Sequence, residues 1–187
     1  MDVTIAIKEQ EQDFIQACVR KERWAQKKLY EDNYGIMMSI CLRYSKDNDE
    51  AMDILHEGFI KIFKNIKKYK PGTSLSAWMR RIMVNTSIDY YRKMVRRRTE
   101  DISEAYDLSS DNPDALSLMS SKEILKGVQT LTPAYRLVFN MYVIEGYSHR
   151  EIAEQLDITE STSRSNLVKA RMKLRTYIKQ RNEQGVE

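Results

Sequence analysis

Three sets of residues have types and spacing that could do chemistry, and each suggests a different kind. Asp49, Asp53 and Glu57 recur at i, i+4 and i+8, so a helix aligns them into one carboxylate row. Paired carboxylates can act as general acid and base, and with His56 beside them they raise a nucleic-acid-modifying centre as one reading. No His, Lys or Ser base motif accompanies the row, and no glycine loop that would cradle phosphate is present. Two other readings remain: a solvated acidic face, destabilised by about a few tenths of a kcal/mol per like-charged pair, or a docking ridge for a basic partner. The second set is the loop Lys67-Lys68-Tyr69-Lys70-Pro71-Gly72-Thr73-Ser74 with Arg80, Arg81, Asn85, Arg92, Lys93, Arg96, Arg97 and Arg98 behind it. Its cations can neutralise phosphates, and Tyr69 suits either core packing or stacking on a splayed base. The third set, Arg164, Asn166, Lys169, Arg171, Lys173 and Arg175, offers donors for phosphates and base edges.

The third set needs a hairpin of helices to carry it, and the stretch from Ser148 to Tyr177 predicts one. Ser148 and Glu151 have the spacing of a capping box, starting a helix that carries Ile152, Ala153 and Leu156. The turn falls on Leu156-Asp157-Ile158-Thr159, with Asp157 at the sharp reversal, where Asp tolerates the left-handed region, and with Thr159 capping the next helix. In that second helix Ser163, Leu167, Ala170 and Leu174 share one face. The outer face is basic and carries an amide, as suits the major groove of DNA.

The acidic row needs a helix from Asp47 to about Ile66, with Met52, Leu55, Phe59, Ile62 and Ile66 on its apolar side. Pro71 and Gly72 end that run. A long helix comes next, with Leu75, Trp78, Met79, Ile82 and Thr86 as its buried stripe. Ahead of these, residues 11–46 predict two or three short helices with Phe14, Ile15, Cys18, Val19, Trp24, Leu29, Tyr30, Ile36, Met37, Ile40, Cys41 and Tyr44 as core faces. Residues 99–118 are acidic and polar, contain Asp111-Asn112-Pro113, and read as an interdomain linker. Thr132-Pro133 starts a helix with Tyr135, Val138, Phe139 and Tyr142 inward, ending near Gly146. The tail beyond Gln180 is expected to fray.

Composition bounds these readings. The chain has 187 residues, 31% charged, with a net charge of +4, too mild by itself to imply nucleic acid. The charge is blocked, however: from Lys61 to Arg98 twelve Lys or Arg face one acid, Asp89, while Glu100 to Asp114 holds six acids and no base. Six Gly, three Pro and long 3.6-residue periodicity predict an all-α fold. Cys18 and Cys41 lack CxxC spacing, and His56 and His149 lie far apart, so neither a metal site nor a disulfide framework is expected. No apolar run is long enough to span a membrane and no signal peptide is evident, so a cytoplasmic chain without cofactor, metal or catalytic centre is expected.

Two segments carry a family resemblance. DILHEGFIKIFKNIKKYKPGTSLSAWMRRIMVNTSIDYYRK, from Asp53 to Lys93, resembles region 2 of the extracytoplasmic-function (ECF) sigma factors of the sigma-70 family. LTPAYRLVFNMYVIEGYSHREIAEQLDITESTSRSNLVKARMKLR, from Leu131 to Arg175, resembles their region 4. The resemblance implies two small helical domains on a flexible linker: 1–98 for polymerase binding and minus-ten recognition and melting, 99–118 as linker, 119–187 as a helix-turn-helix bundle for the minus-thirty-five element. It implies a bacterial initiation factor, monomeric when free, whose partners are core RNA polymerase (the β′ clamp helices and β flap), promoter DNA and, as a further candidate, an anti-sigma protein. Asp53, Ile54, Glu57 and Phe59 match the acidic motif that docks on the clamp helices, with Asp49 extending the row and Phe59 as packing. Lys68, Tyr69, Lys70, Thr73 and Ser74 match the loop that cradles a flipped minus-ten base, and Arg81, Asn85, Arg92 and Lys93 the helix along that strand. Thr162, Arg164, Ser165, Asn166, Lys169 and Arg171 match recognition-helix positions. Four residues depart from the usual pattern: His56 for Gln, Gly58 for a small apolar residue, Asp157 for a turn Gly, and Ser163 for an inward Val. The last predicts a recognition helix that is shorter or shifted by one residue. Asn166, at a position often basic in relatives, can read adenine.

Overall fold

The computed structural model describes residues 3–100 and 121–184, with side chains described for 10–96 and 123–181. Among these every regular element is helical. The chain divides into two compact units, Met1–Ser87 and Ile88–Glu187. That division falls inside a helix, Leu75–Glu100.

In the first unit α1 spans Val3–Val19, α2 Arg23–Tyr44 and α3 Asn48–Asn65, followed by a 3₁₀ turn at Ile66–Lys68 and by the start of α4, which runs over Leu75–Glu100. The two or three short helices expected over residues 11–46 are two longer ones, α2 running through Gly35 without a break. Asp47 caps α3 by accepting from Glu50 N at 2.9 Å. Behind the cap, Ala51, Ile54, Leu55, Gly58, Phe59 and Ile62 are buried against Leu29, Met37, Ile40 and the other core residues of this unit. Each such aliphatic side chain contributes about 1.5–3 kcal/mol on burial. Gly58 has a packing reason, since a Cβ there would collide with Met83 Sδ of α4.

Trp24 and Ile36, expected inside, are 56% and 54% exposed. Each lies one position, about 100° of helix, from the buried line through Ala25, Leu29, Met37, Ile40 and Cys41. On α4 the buried set is Met79, Met83, Val84, Thr86, Ser87 and Ile88, while Leu75, Trp78 and Ile82 are half-buried. The two buried hydroxyls are satisfied within the helix, Thr86 donating to Ile82 O at 2.8 Å and Ser87 to Met83 O at 3.0 Å.

The C-terminal helices are α5 (Ser121–Gln129), α6 (Pro133–Phe139), a π-helical turn (Asn140–Ile144), α7 (His149–Leu156) and α8 (Glu160–Gln184). The π turn closes with Glu145 N donating to Asn140 O at 3.0 Å. Its wider pitch rotates the residues of the turn relative to α6, so Leu137, Val138, Asn140 and Met141 are buried, while Tyr142, expected inward, is exposed. Arg136 is buried, 4% exposed. Its guanidinium donates to the carbonyls of Val128, Gln129 and Leu131 at 3.3, 2.8 and 2.9 Å, capping the carbonyl end of α5. Gly127 lets α5 approach α8, where a Cβ would sit 2.9 Å from Tyr177 Cδ1. The α8 backbone runs to Gln184, four residues into the tail expected to fray. Arg97 and Arg98 lie outside the described side chains. The expected linker lies outside the described residues from 101 onward, α4 reaching two residues into it.

Candidate nucleic-acid interface

The acidic row is a surface feature of α3. Asp49 and Asp53 are exposed, and Glu57 is partly exposed with an ion pair to Lys61 at 3.3 Å. Ile54, expected to share the docking surface, is 1% exposed. It follows Asp53 by about 100° of helix, which turns it into the core, so it supports the row from beneath and presents nothing to a partner. Phe59 is also buried, its ring 4.6 Å from that of Tyr30. His56 is exposed, and among the described residues no group of three or more His, Cys, Asp and Glu is disposed to hold a metal ion.

The basic loop is a built structure. Gly72 takes φ 87°, the region that favours glycine. Tyr69 is 5% exposed and packs on Trp78, ring centroids 5.7 Å apart. Its hydroxyl oxygen is within hydrogen-bond distance of two acceptors, Glu11 Oε1 at 2.7 Å and the Thr73 carbonyl at 2.5 Å, while Glu11 Oε2 accepts from Gly72 N at 3.1 Å. Burial, and then the Glu11 carboxylate, push the Tyr69 phenol up. Of its two expected roles Tyr69 therefore takes the packing one, and as folded its ring is not open to a base. Lys68, Lys70, Thr73 and Ser74 are exposed. Thr73 donates its hydroxyl to Lys70 O at 2.8 Å, and Ser74 Oγ accepts from Ala77 N at 3.2 Å, capping α4. On α4 Arg81 and Asn85, one turn apart, are exposed; further along, Arg92 is partly exposed, pairing with Asp89 at 3.7 Å, and Lys93 is exposed.

The hairpin forms as its sequence predicts. Ser148 and Glu151 make the reciprocal capping box, Asp157 adopts the left-handed region at φ 55°, and Thr159 Oγ1 accepts from Thr162 N at 3.0 Å. In α8 Ser163, Leu167 and Ala170 are buried and Leu174 half-buried, so the helix is neither shortened nor shifted. The reason is a partner for the buried hydroxyl: His149 Nδ1, at the start of α7, lies 2.9 Å from Ser163 Oγ. Thr162, Arg164, Ser165, Lys169 and Arg171 are exposed, and Asn166 is partly exposed. Arg164 pairs with Glu160 one turn back, and Arg171 lies 5.9 Å over the Tyr142 ring. Tyr142 in turn stacks on His149, centroids 4.4 Å apart.

Several residues at this site escape a search of the sequence for charge. His149 and Tyr142 join the hairpin from within, and only the odd polar Ser163 hinted that a partner was needed. Val168 and Met172, 55% and 63% exposed on the outer side of α8, offer apolar contact of the kind that suits thymine methyls. Glu11, which shapes the basic loop from 58 residues away, had no signal at all.

Residues 29–109 match the model of sigma-70 region 2 and residues 121–174 that of sigma-70 region 4. The chain is similar to the ECF RNA polymerase sigma-E factor of Haemophilus influenzae, with 30% identity over 144 residues, 71% of this chain and 76% of that protein. It is 31% identical to the ECF RNA polymerase sigma factor SigE of Mycolicibacterium smegmatis over 144 residues, 74% of this chain, and spans 56% of that relative's length. In fold it resembles the sigma factor RpoE of Bartonella quintana, solved with the anti-sigma factor NepR, at a TM-score of 0.51 and 18% identity over 82% of this chain and 96% of that one. The chain belongs to the sigma-70 family of transcription initiation factors, in its extracytoplasmic-function group.

Proposed function

We propose that this protein binds core RNA polymerase, directs it to specific promoters and helps open the DNA, doing no catalysis of its own. The row of Asp49, Asp53 and Glu57 docks on the β′ clamp helices, and the C-terminal helices meet the β flap. Lys68, Lys70, Thr73 and Ser74 surround a flipped minus-ten base, and Arg81, Asn85, Arg92 and Lys93 hold the opened strand. Thr162, Arg164, Ser165, Asn166, Lys169 and Arg171 read the minus-thirty-five element. Ile54 and Tyr69 serve from inside, by packing. The domains run 1–98 and 119–187 with 99–118 as linker, and the protein acts in the cytoplasm, monomeric until it meets polymerase or an anti-sigma protein. A membrane location gains no support from the described residues, where no helix is long and apolar enough to cross a bilayer.

The observation that carries the reading is the pairing, in one chain, of an exposed carboxylate row on α3 with a separate hairpin whose second helix exposes Arg164, Lys169 and Arg171. The test is co-purification with core polymerase followed by run-off transcription and start-site mapping. Asp53→Lys with Glu57→Lys should weaken the association about a hundredfold or more, as expected for reversing charges at an interface. Undiminished association would sink the docking role. Tight, sequence-specific DNA binding by the chain alone would favour an autonomous regulator.

A further inference from the structure

Ser163 presents a problem in physical chemistry, since it sits on the inner face of α8, fully buried, in the helix's first turn. A hydroxyl so placed destabilises the fold unless it is hydrogen-bonded. Its partner is His149, the first residue of α7, whose backbone is held by the Ser148–Glu151 capping box. The other contacts of that imidazole lead back to the DNA-facing surface. His149 stacks on Tyr142 of the π turn with ring planes 23° apart, and the Arg171 guanidinium lies over the Tyr142 ring. One chain of contacts thus runs from the first turn of α8, through α7 and the π turn, to a cation two turns further along α8.

We propose that His149, with Tyr142 and Ser163, is a positioning residue for promoter recognition: it sets how α8 sits on α7 and how Arg171 is aimed. The inference rests on the reading of α8 as the helix that binds the minus-thirty-five element. An apolar side chain at 163 would hold α8 by contact alone, with little directional preference. The His149–Ser163 bond adds direction, because a hydrogen bond weakens steeply away from its preferred angle. The Tyr142 ring restricts a long, rotamer-rich Arg before DNA arrives, which lowers the ordering cost on binding. Neither residue need touch DNA for its loss to blur recognition.

The test uses the holoenzyme, formed from the full chain and core polymerase, and duplex DNA selected by the wild-type holoenzyme from a randomised library. Binding is compared on that DNA and on the same DNA with its upstream element scrambled, while circular dichroism follows the folding of each variant. His149→Ala should weaken binding to the selected DNA about five- to tenfold, the worth of a lost directional bond, and leave binding to the scrambled DNA unchanged. His149→Asn, which keeps a polar atom near the Nδ1 position, should restore most of the difference. Ser163→Val keeps the buried volume filled and the helices folded, and should reproduce the His149→Ala loss. Tyr142→Leu combined with Arg171→Ala should be no worse than Arg171→Ala alone. Equal losses on both DNAs, no rescue by Asn, an unaffected Ser163→Val, or additive Tyr142 and Arg171 effects would each overturn the positioning role. A wild-type holoenzyme indifferent to scrambling would instead overturn the underlying reading of α8, and is seen before any variant is made.

Discussion

The first unit and the helices from α5 onward each carry an exposed basic helix, yet they are held together differently. In the first, the large buried side chains are apolar: Leu29, Met37, Ile40, Ile54, Leu55, Ile62, Ile66, Met79 and Met83. Its buried Thr86 and Ser87 hydroxyls bond within their own helix, while the buried Tyr69 hydroxyl reaches Glu11 of α1. In the second, Leu131, Val138, Met141 and Ile152 are buried as completely, and Arg136, Asn140 and Ser163 are buried beside them. There Arg136 and Ser163 reach other elements, through the Arg136 fan onto α5 carbonyls and through the Ser163 bond to His149. A small set of helices buries a smaller fraction of its surface, so directional polar bonds supply orientation that a thick apolar core supplies elsewhere. The first unit should therefore tolerate conservative changes by repacking, whereas the C-terminal helices should lose geometry when one bond is removed.

The largest effect should come from the buried guanidinium. Arg136→Met fills similar space but removes the guanidinium donor from the Gln129 and Leu131 carbonyls, while the Val128 carbonyl keeps Leu131 N, and should destabilise the C-terminal helices by about 2–4 kcal/mol. Hydrogen exchange should register this in α5 to α8. Leu55→Met in α3, a volume-conserving swap, should cost less than ~1.5 kcal/mol, and an equal or larger loss there would break the contrast. Next in size, Arg92→Glu with Lys93→Glu should weaken holoenzyme binding to every promoter and reduce the salt slope by about 2. An unchanged slope would remove these residues from strand binding. Smaller and more selective, Asn166→Ala should lose about 1–3 kcal/mol of discrimination at one base pair, and equal losses on all promoters would argue against base reading.

The smallest effect should be on pH. Burial, and the Arg164 and Arg171 guanidiniums, hold His149 below the usual imidazole range, with Glu160 opposing them. A folded value below the unfolded one means that the unfolded chain binds the proton more readily. The stabilisation from neutral His149 is therefore complete above an unfolded value of about 6.5 and fades as pH falls through the folded value. Thermal melts of wild type should drop more on acidification across that window than those of His149→Asn, which carries no titrating group at that position.

Elements whose cause is local were legible in the sequence: the capping box at Ser148, the left-handed Asp157, the Thr159 cap, the buried line through Leu167 and Ala170, and the exposed row of Asp49, Asp53 and Glu57. Their assignment to polymerase and promoter came from resemblance, not from periodicity. The expectations for Trp24, exposed like Ile36, and for three other residues failed for positional reasons. Ile54 and Ile36 lie about 100° of helix from where they were expected to face, and Tyr142 was turned outward by a π turn that no sequence pattern announced. Tyr69 kept the aromatic character expected of the basic loop but spends it on Trp78 and Glu11.

The sequence by itself determined the all-helical class and the hairpin, because periodicity, caps and turn residues act over a few positions through backbone geometry. Only the tertiary structure decided which polar atoms meet: Glu11 with Tyr69 across 58 residues, His149 with Ser163 across 14. Such pairs depend on how whole helices pack. No local preference of a serine, a histidine or a tyrosine carries that information.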